Sequence, residues 1–193
     1  MSGTSRELST IALDGTRYTV EQSLIRNKYA AYDEHGDLVL RGKQKLFKMK
    51  EEFPFVDADD NEVFTVKAGG ILDVAGNYAI VDAGTGEDVV VLDNDFSIFK
   101  DVWRIRDADD GSVLATITSR GALVTLARHF IPIVGPLIPH KYEIADSNGS
   151  HVGNIDGQFS FRDRYDIVID DATSVPTDAV VAAAMVIDAI QGN

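Results

Sequence analysis

One pattern recurs along the chain and limits what it can fold into. An aromatic residue opens a run of alternating apolar positions, and an Asp then starts a turn containing Gly or Asn. It occurs at Tyr29–Gly36, Phe53–Asn61, Tyr78–Gly84, Trp103–Gly111 and Tyr142–Gly149, and in part at Tyr165–Asp170. Alternation with period two marks half-buried strands, and Asp/Asn/Gly turns mark tight hairpins. Asp suits the start of such a turn because its carboxylate accepts backbone N–H groups two residues on. From Asp33 the steps to Asp57, Asp82 and Asp107 are 24, 25 and 25 residues, and Asp146 to Asp170 is 24. A propeller blade needs about 40–45 residues, so this period fits two strands and two turns instead. Asp107 to Asp146 spans 39 residues. The surplus falls in Gly121–Pro139, an apolar stretch broken by Pro132, Pro136 and Pro139, and predicts an insertion at about 121–139.

Five hairpins, a strand near Arg164–Asp170 and an N-terminal hairpin turning at Asp14-Gly15 predict about twelve antiparallel strands. A meander of that size must close or curl, because an open sheet leaves edges exposed. The C-terminal segment differs. Pro176 and Asp178 suit a first helical turn, and Ala179–Ile187 is apolar on every face. A helix without a polar face must be enclosed. The predicted fold is therefore mainly β: one domain over residues 1–193, a closed or nearly closed barrel of hairpin repeats around a hydrophobic helix at about 176–191. That helix would fill the barrel interior.

The connectors Phe96-Ser97-Ile98-Phe99-Lys100-Asp101 and Phe159-Ser160-Phe161-Arg162-Asp163, the hairpins Phe96–Asp107 and Tyr142–Asp170, and the small-residue helix Val180–Ile190 carry a resemblance. The chain, from Leu24 to Gln191, resembles the LURP-one-related family, of the tubby C-terminal-like superfamily that also holds the phospholipid scramblases. The resemblance implies a twelve-stranded barrel around a central helix. It also implies a lipid-associated or scaffolding role, since tubby proteins bind phosphoinositides and scramblases are linked to lipid movement. This sequence has no phosphoinositide-contacting basic motif at a matching position and no Cys-rich palmitoylation segment.

Composition excludes further classes. With 31 acidic and 18 basic side chains the net charge is −13, which nucleic-acid phosphates would repel. The absence of Cys removes disulfides, thiolate metal sites and thiol nucleophiles. Met1–Thr10 is polar and lacks the apolar core of a signal peptide, which predicts a cytoplasmic protein. Gly121–Pro139 is interrupted by Arg128 and His129, and Pro176–Gln191 is shorter than the roughly 20 residues of a bilayer span, so no transmembrane span is expected.

Two segments are candidate contact sites. Lys43, Lys45, Lys48 and Lys50 place half of the eight lysines within eight residues. They could meet an anionic lipid headgroup or an acidic partner, or serve as solvated charges that guard a strand edge. In the insertion, Leu126, Phe130, Ile131 and Ile133, with Arg128 and His129 at headgroup level, suit a membrane- or partner-contacting flap; the plainer reading packs them onto the barrel. The run Asp107–Gly111 resembles the start of an EF-hand loop, but its twelfth position is Thr118, not the required Glu. His35, His129, His140 and His151 show no paired metal spacing. No nucleophile elbow, Walker A or dinucleotide fingerprint occurs, and no catalytic residue, metal or cofactor is expected. The expectation is a non-catalytic binding or scaffold module, with membrane lipid or a protein docked through 121–139 as partner, and an enzyme as the least favoured reading. The acid excess beyond the turns predicts a surface adapted to high salt.

Overall fold

Each repeated aspartate closes a strand. In the computed structural model, residues 8–9, 11–23, 28–42, 52–68, 77–96, 101–120, 141–158 and 164–191 are described. They form β1 (Arg17–Ser23), β2 (Lys28–Asp33), β3 (Leu38–Gly42), β4 (Glu52–Val56), β5 (Glu62–Ala68), β6 (Tyr78–Asp82), β7 (Asp88–Phe96), β8 (Asp101–Asp107), β9 (Val113–Ser119), β10 (Lys141–Asp146), β11 (His151–Gln158), β12 (Arg164–Ile169) and the helix α1 (Thr177–Gln191). Every strand pairs antiparallel with its sequence neighbour, and β1 pairs with β12 to close the barrel. The closing seam runs from Arg17↔Val168 to Glu21↔Arg164. Among the described residues, β3 pairs with β4 through Arg41↔Val56 and Gly42↔Phe55.

Alternation sorts the side chains. On β8, Trp103 and Ile105 are wholly buried. Arg104 and Arg106 point outward to Asp93 and Asp95 of β7, with nitrogen–oxygen distances of 3.3 Å (Arg104–Asp95) and 3.2 Å (Arg106–Asp93). Ile80, Leu92, Ile117, Ile144 and Ile167 line the same interior. Ala179 to Ile187 is buried at every position. The helix approaches β2, β8 and β12, and β2 and β8 stand six strands apart around the twelve. Such a helix lies inside the barrel. Small alanines let it fit, and the hydrophobic effect supplies the drive, at roughly 25 cal/mol per Å² of apolar surface removed from water.

The chain enters the barrel differently from the sequence expectation. Asp14-Gly15 reads as a hairpin turn, yet no strand precedes β1 among the described residues. A Cβ on Gly15 would stand 2.9 Å from the Tyr18 hydroxyl, so the glycine there permits a close approach. The Thr16 carbonyl already accepts the Ile169 N–H at 2.8 Å, which extends the β1–β12 seam. The twelfth strand is thus β1 itself. The residues before it form a segment without ladder pairing. β7 also runs further than expected, through Phe96, which reads in sequence as part of a connector.

Candidate functional site

The two mouths of the barrel are chemically unlike. At one end lie the five hairpin turns, the start of α1 and the residues leading into β1. Each turn begins with an Asp whose Oδ1 takes backbone donors. Asp33 accepts from His35 and Asp37, and Asp57 from Asp59 and Asn61, all at 2.9 Å. Asp107 accepts from Asp109 at 2.8 Å, and Asp146 from Asn148 and Ser150 at 2.9 and 2.8 Å. Asp171, after β12, accepts from Thr173 at 3.1 Å. One residue per hairpin takes a positive φ: Gly36, Asp60, Gly86, Gly111 and Gly149. The aspartates are therefore turn builders, each with Oδ1 committed to its own loop. Hydrogen bonds to the Asn61 side chain hold the Asp57 carboxyl below the ordinary range. Those to Ser112 do so for Asp110, and those to Ser174 and Thr173 for Asp171.

Asp82 differs from the other turn aspartates. It is 1% exposed. Besides Gly84 and Thr85 at 2.6 and 2.9 Å it accepts the Ser9 N–H at 2.5 Å and the Ser9 hydroxyl at 2.9 Å. Burial pushes its carboxyl up, and these four bonds more than offset that, so it sits below the ordinary value. Asp178, in the first turn of α1 and 4% exposed, accepts the Leu8 N–H at 2.6 Å. The N-terminal segment is thereby tied across this mouth. Beside it is a cleft of about 710 Å³ lined by Ile11–Asp14, Ser112–Leu114, Ser147 and Ala172–Asp178. A shallower groove of about 610 Å³ crosses the outer wall of β2, β1 and β12, where Thr19 donates to Asp166 at 2.9 Å.

Charge is distributed very unevenly. Residues 8–16, 33–38, 57–62, 82–88, 107–113, 146–151 and 169–178 make up the turns and their flanks, and they hold 18 Asp and Glu with no Lys or Arg of their own, although Arg41 reaches in from β3 to Asp60 at 2.6 Å and Arg106 from β8 to the Gly111 carbonyl at 3.0 Å. The other 13 acidic side chains share the rest of the sequence with all 18 basic ones. The positive end of the α1 dipole lies at the acidic mouth, a favourable pairing. The connections from β3 to β4 and from β9 to β10 leave the opposite mouth. They contain Lys43, Lys45, Lys48 and Lys50, and Leu126, Arg128, His129, Phe130, Ile131 and Ile133 respectively. All of these lie outside the described residues, as do His129 and His140. The remaining histidines lie at the turn end. His151 bridges Glu143 at 3.1 Å and Asp170 at 3.4 Å, and His35 is exposed beside Glu34. No cluster of three His, Asp or Glu able to hold a metal occurs among the described residues.

The interior holds polar groups that the sequence did not reveal. Asn94 on β7 faces Trp103 on β8. Both atoms of its amide are buried and make no hydrogen bond among the described residues. The Trp103 ring lies 6.2 Å from that of Tyr78, whose hydroxyl burial pushes up. No signal in the string Asp93-Asn94-Asp95 separates an inward amide from its outward neighbours except strand phase.

Comparison with known proteins places this architecture. None of the curated protein sequences compared with it matches the chain. A solved structure of a protein from Arabidopsis thaliana superimposes with a TM-score of 0.58 over 98% of this chain and 99% of its own, at 10% identity, which shows a shared fold. No helix among the described residues is long and apolar enough to cross a membrane. Residues 16–188, from the start of the closing seam to the end of the buried helix, match the LURP-one-related family, and the chain belongs to that family.

Proposed function

We propose that the protein is a non-catalytic binding or scaffold module that meets an anionic lipid surface with the barrel end opposite its aspartate turns. The observation that carries this reading is the uneven charge: the turn segments contribute 18 carboxylates and no Lys or Arg, and the 13 other acidic side chains share the rest of the sequence with all 18 basic ones. A body so polarised orients in the field of an anionic surface, its acidic end facing away. Lys43, Lys45, Lys48 and Lys50 belong to a connection leaving the favoured end, and the apolar 121–139 segment to another. The helix-filled interior favours a surface role over an internal reaction chamber. A peripheral, cytoplasmic location accords with this reading, as does the lipid association of the resembling tubby and scramblase proteins.

Co-sedimentation with phosphatidylcholine vesicles, with and without phosphatidylserine, tests it. Binding should require phosphatidylserine, weaken when the four lysines are replaced by Gln, and weaken further with salt as screening shortens to about 8 Å at 0.15 M. No binding to the phosphatidylserine vesicles at low salt overturns the lipid reading. In that case a protein docked through 121–139 becomes the better account.

A further inference from the structure

The segment before β1 is attached to the barrel without being part of it. Leu8, Ser9 and Ile11–Leu13 make no ladder pair, and barrel closure depends on β1 with β12 from Arg17 onward. The family match begins at residue 16, after this segment. Its attachment is local. The Leu8 and Ser9 N–H groups go to Asp178 and Asp82, the Ser9 hydroxyl goes to Asp82, and Leu8 and Leu13 are 4% and 8% exposed in the core. Polar contacts made through backbone N–H groups to carboxylates can be exchanged for water without a steric barrier. Both carboxylates keep partners when the segment leaves, Asp82 from Gly84 and Thr85 and Asp178 from the Ala179 N–H at 2.8 Å. Under and beside the segment lies the cleft, bordered by Leu114, Val175, Pro176 and the buried Thr177.

We propose that Leu8, Ser9 and Ile11–Leu13 form a detachable strap over the acidic mouth. The strap leaves as a unit and opens the cleft onto the first turn of α1, while the twelve strands stay paired. Segments held by few buried contacts and no ladder open at far lower cost than core strands.

Amide hydrogen exchange on the full chain tests this. The Leu8 and Ser9 amides should be protected, yet exchange at least about tenfold faster than the ladder amides of Ile105 and Ile117. The strap opening should also depend little on denaturant, whereas the ladder amides should depend on it steeply, and Leu8→Ala, whose change lies in the strap, should speed the strap amides further. Since the chain has no Cys, Thr177→Cys gives a single thiol at the cleft. Its labelling should accelerate when combined with Leu8→Ala. Strap amides that exchange as slowly and with the same denaturant dependence as ladder amides show a segment integral to the barrel and overturn the proposal. So do strap amides with no protection, or a thiol whose labelling ignores Leu8→Ala.

Discussion

The Tyr165 hydroxyl on β12 donates to the Ala184 carbonyl in the middle of α1, across 3.2 Å, both residues being buried. The wall of the barrel is thus tied to the helix it encloses by a polar bond within an apolar core. The helix backbone also supplies that carbonyl with its own i+4 donor. Replacing Tyr165 by Phe should therefore cost about 0.5–1.5 kcal/mol, the net worth of one hydrogen bond. Urea unfolding should show a lower midpoint with an unchanged slope.

Ala182 and Ala183 are wholly buried against the barrel wall. A larger side chain there has no solvent to turn to. Ala183→Leu should destabilise by about 1–3 kcal/mol or more through overpacking, although Leu is a good helix former. A surface-exposed helix would barely respond, so the size of the loss in a thermal melt measures the enclosure directly.

The Asn94 amide is buried beside Trp103 without a partner among the described residues. Burial of an amide without compensation costs about 1–3 kcal/mol by protein mutational data. Asn94→Leu, close in volume, should leave the fold intact and raise the unfolding midpoint. A lower midpoint would show that the amide is needed in the folded chain.

Asp82 sets part of the acid limit. Its folded pKa lies below the ordinary value of about 3.9, because four hydrogen bonds outweigh burial. The stabilisation is therefore complete above the unfolded pKa and is lost as pH falls through the folded one. Asp82→Asn should cost about 1–3 kcal/mol at pH 7, where a carboxylate acceptor is replaced by an amide. The gap between variant and parent in urea titrations should narrow below pH 4. At the other extreme, burial pushes Tyr18 up to about 12. Its stabilisation is complete below about pH 10 and is lost as pH rises through the folded value. Tyr18→Phe should flatten that alkaline limb.

Eighteen carboxylates crowd the turn end, where Arg41 pairs with Asp60, and they repel one another. Salt screens this, with a Debye length near 10 Å at 0.1 M and 3 Å at 1 M. The unfolding midpoint should rise from low to molar NaCl. A flat response would remove the case for a surface adapted to high salt.

The turns and the helix were legible because each follows from one local rule. An Asp two residues before a backbone N–H, followed in four of the five turns by a Gly that takes positive φ, marks a hairpin between two alternating runs. Ala179–Ile187, apolar on all sides, admits only an enclosed position. The strap was not legible: Leu8 and Ser9 have no period, and their partners lie 170 and 73 residues away. In sequence Asp82 is also indistinguishable from Asp107 or Asp146, since only the fold brings Ser9 to it. Asp14-Gly15 misled for a related reason, because the glycine answers to the Tyr18 ring, which the hairpin rule does not consider. The lysine and insertion sites rest on charge and apolar content, and those residues lie outside the described structure.

The position of α1 has a consequence for how the chain is made. The helix that fills the centre of the barrel is synthesised after all twelve strands, and the closing seam joins β1 to β12. Neither can form until β12 and α1 have been made. The hairpins, each closed by its own aspartate turn, can assemble as synthesis proceeds, but they wait with an unfilled apolar face and two unpaired edges. Pairings so distant in sequence are slow, and such edges are open to wrong partners meanwhile. A ribosome stalled before α1 would therefore release twelve strands without the segment that fills them, a substrate for chaperones and proteases.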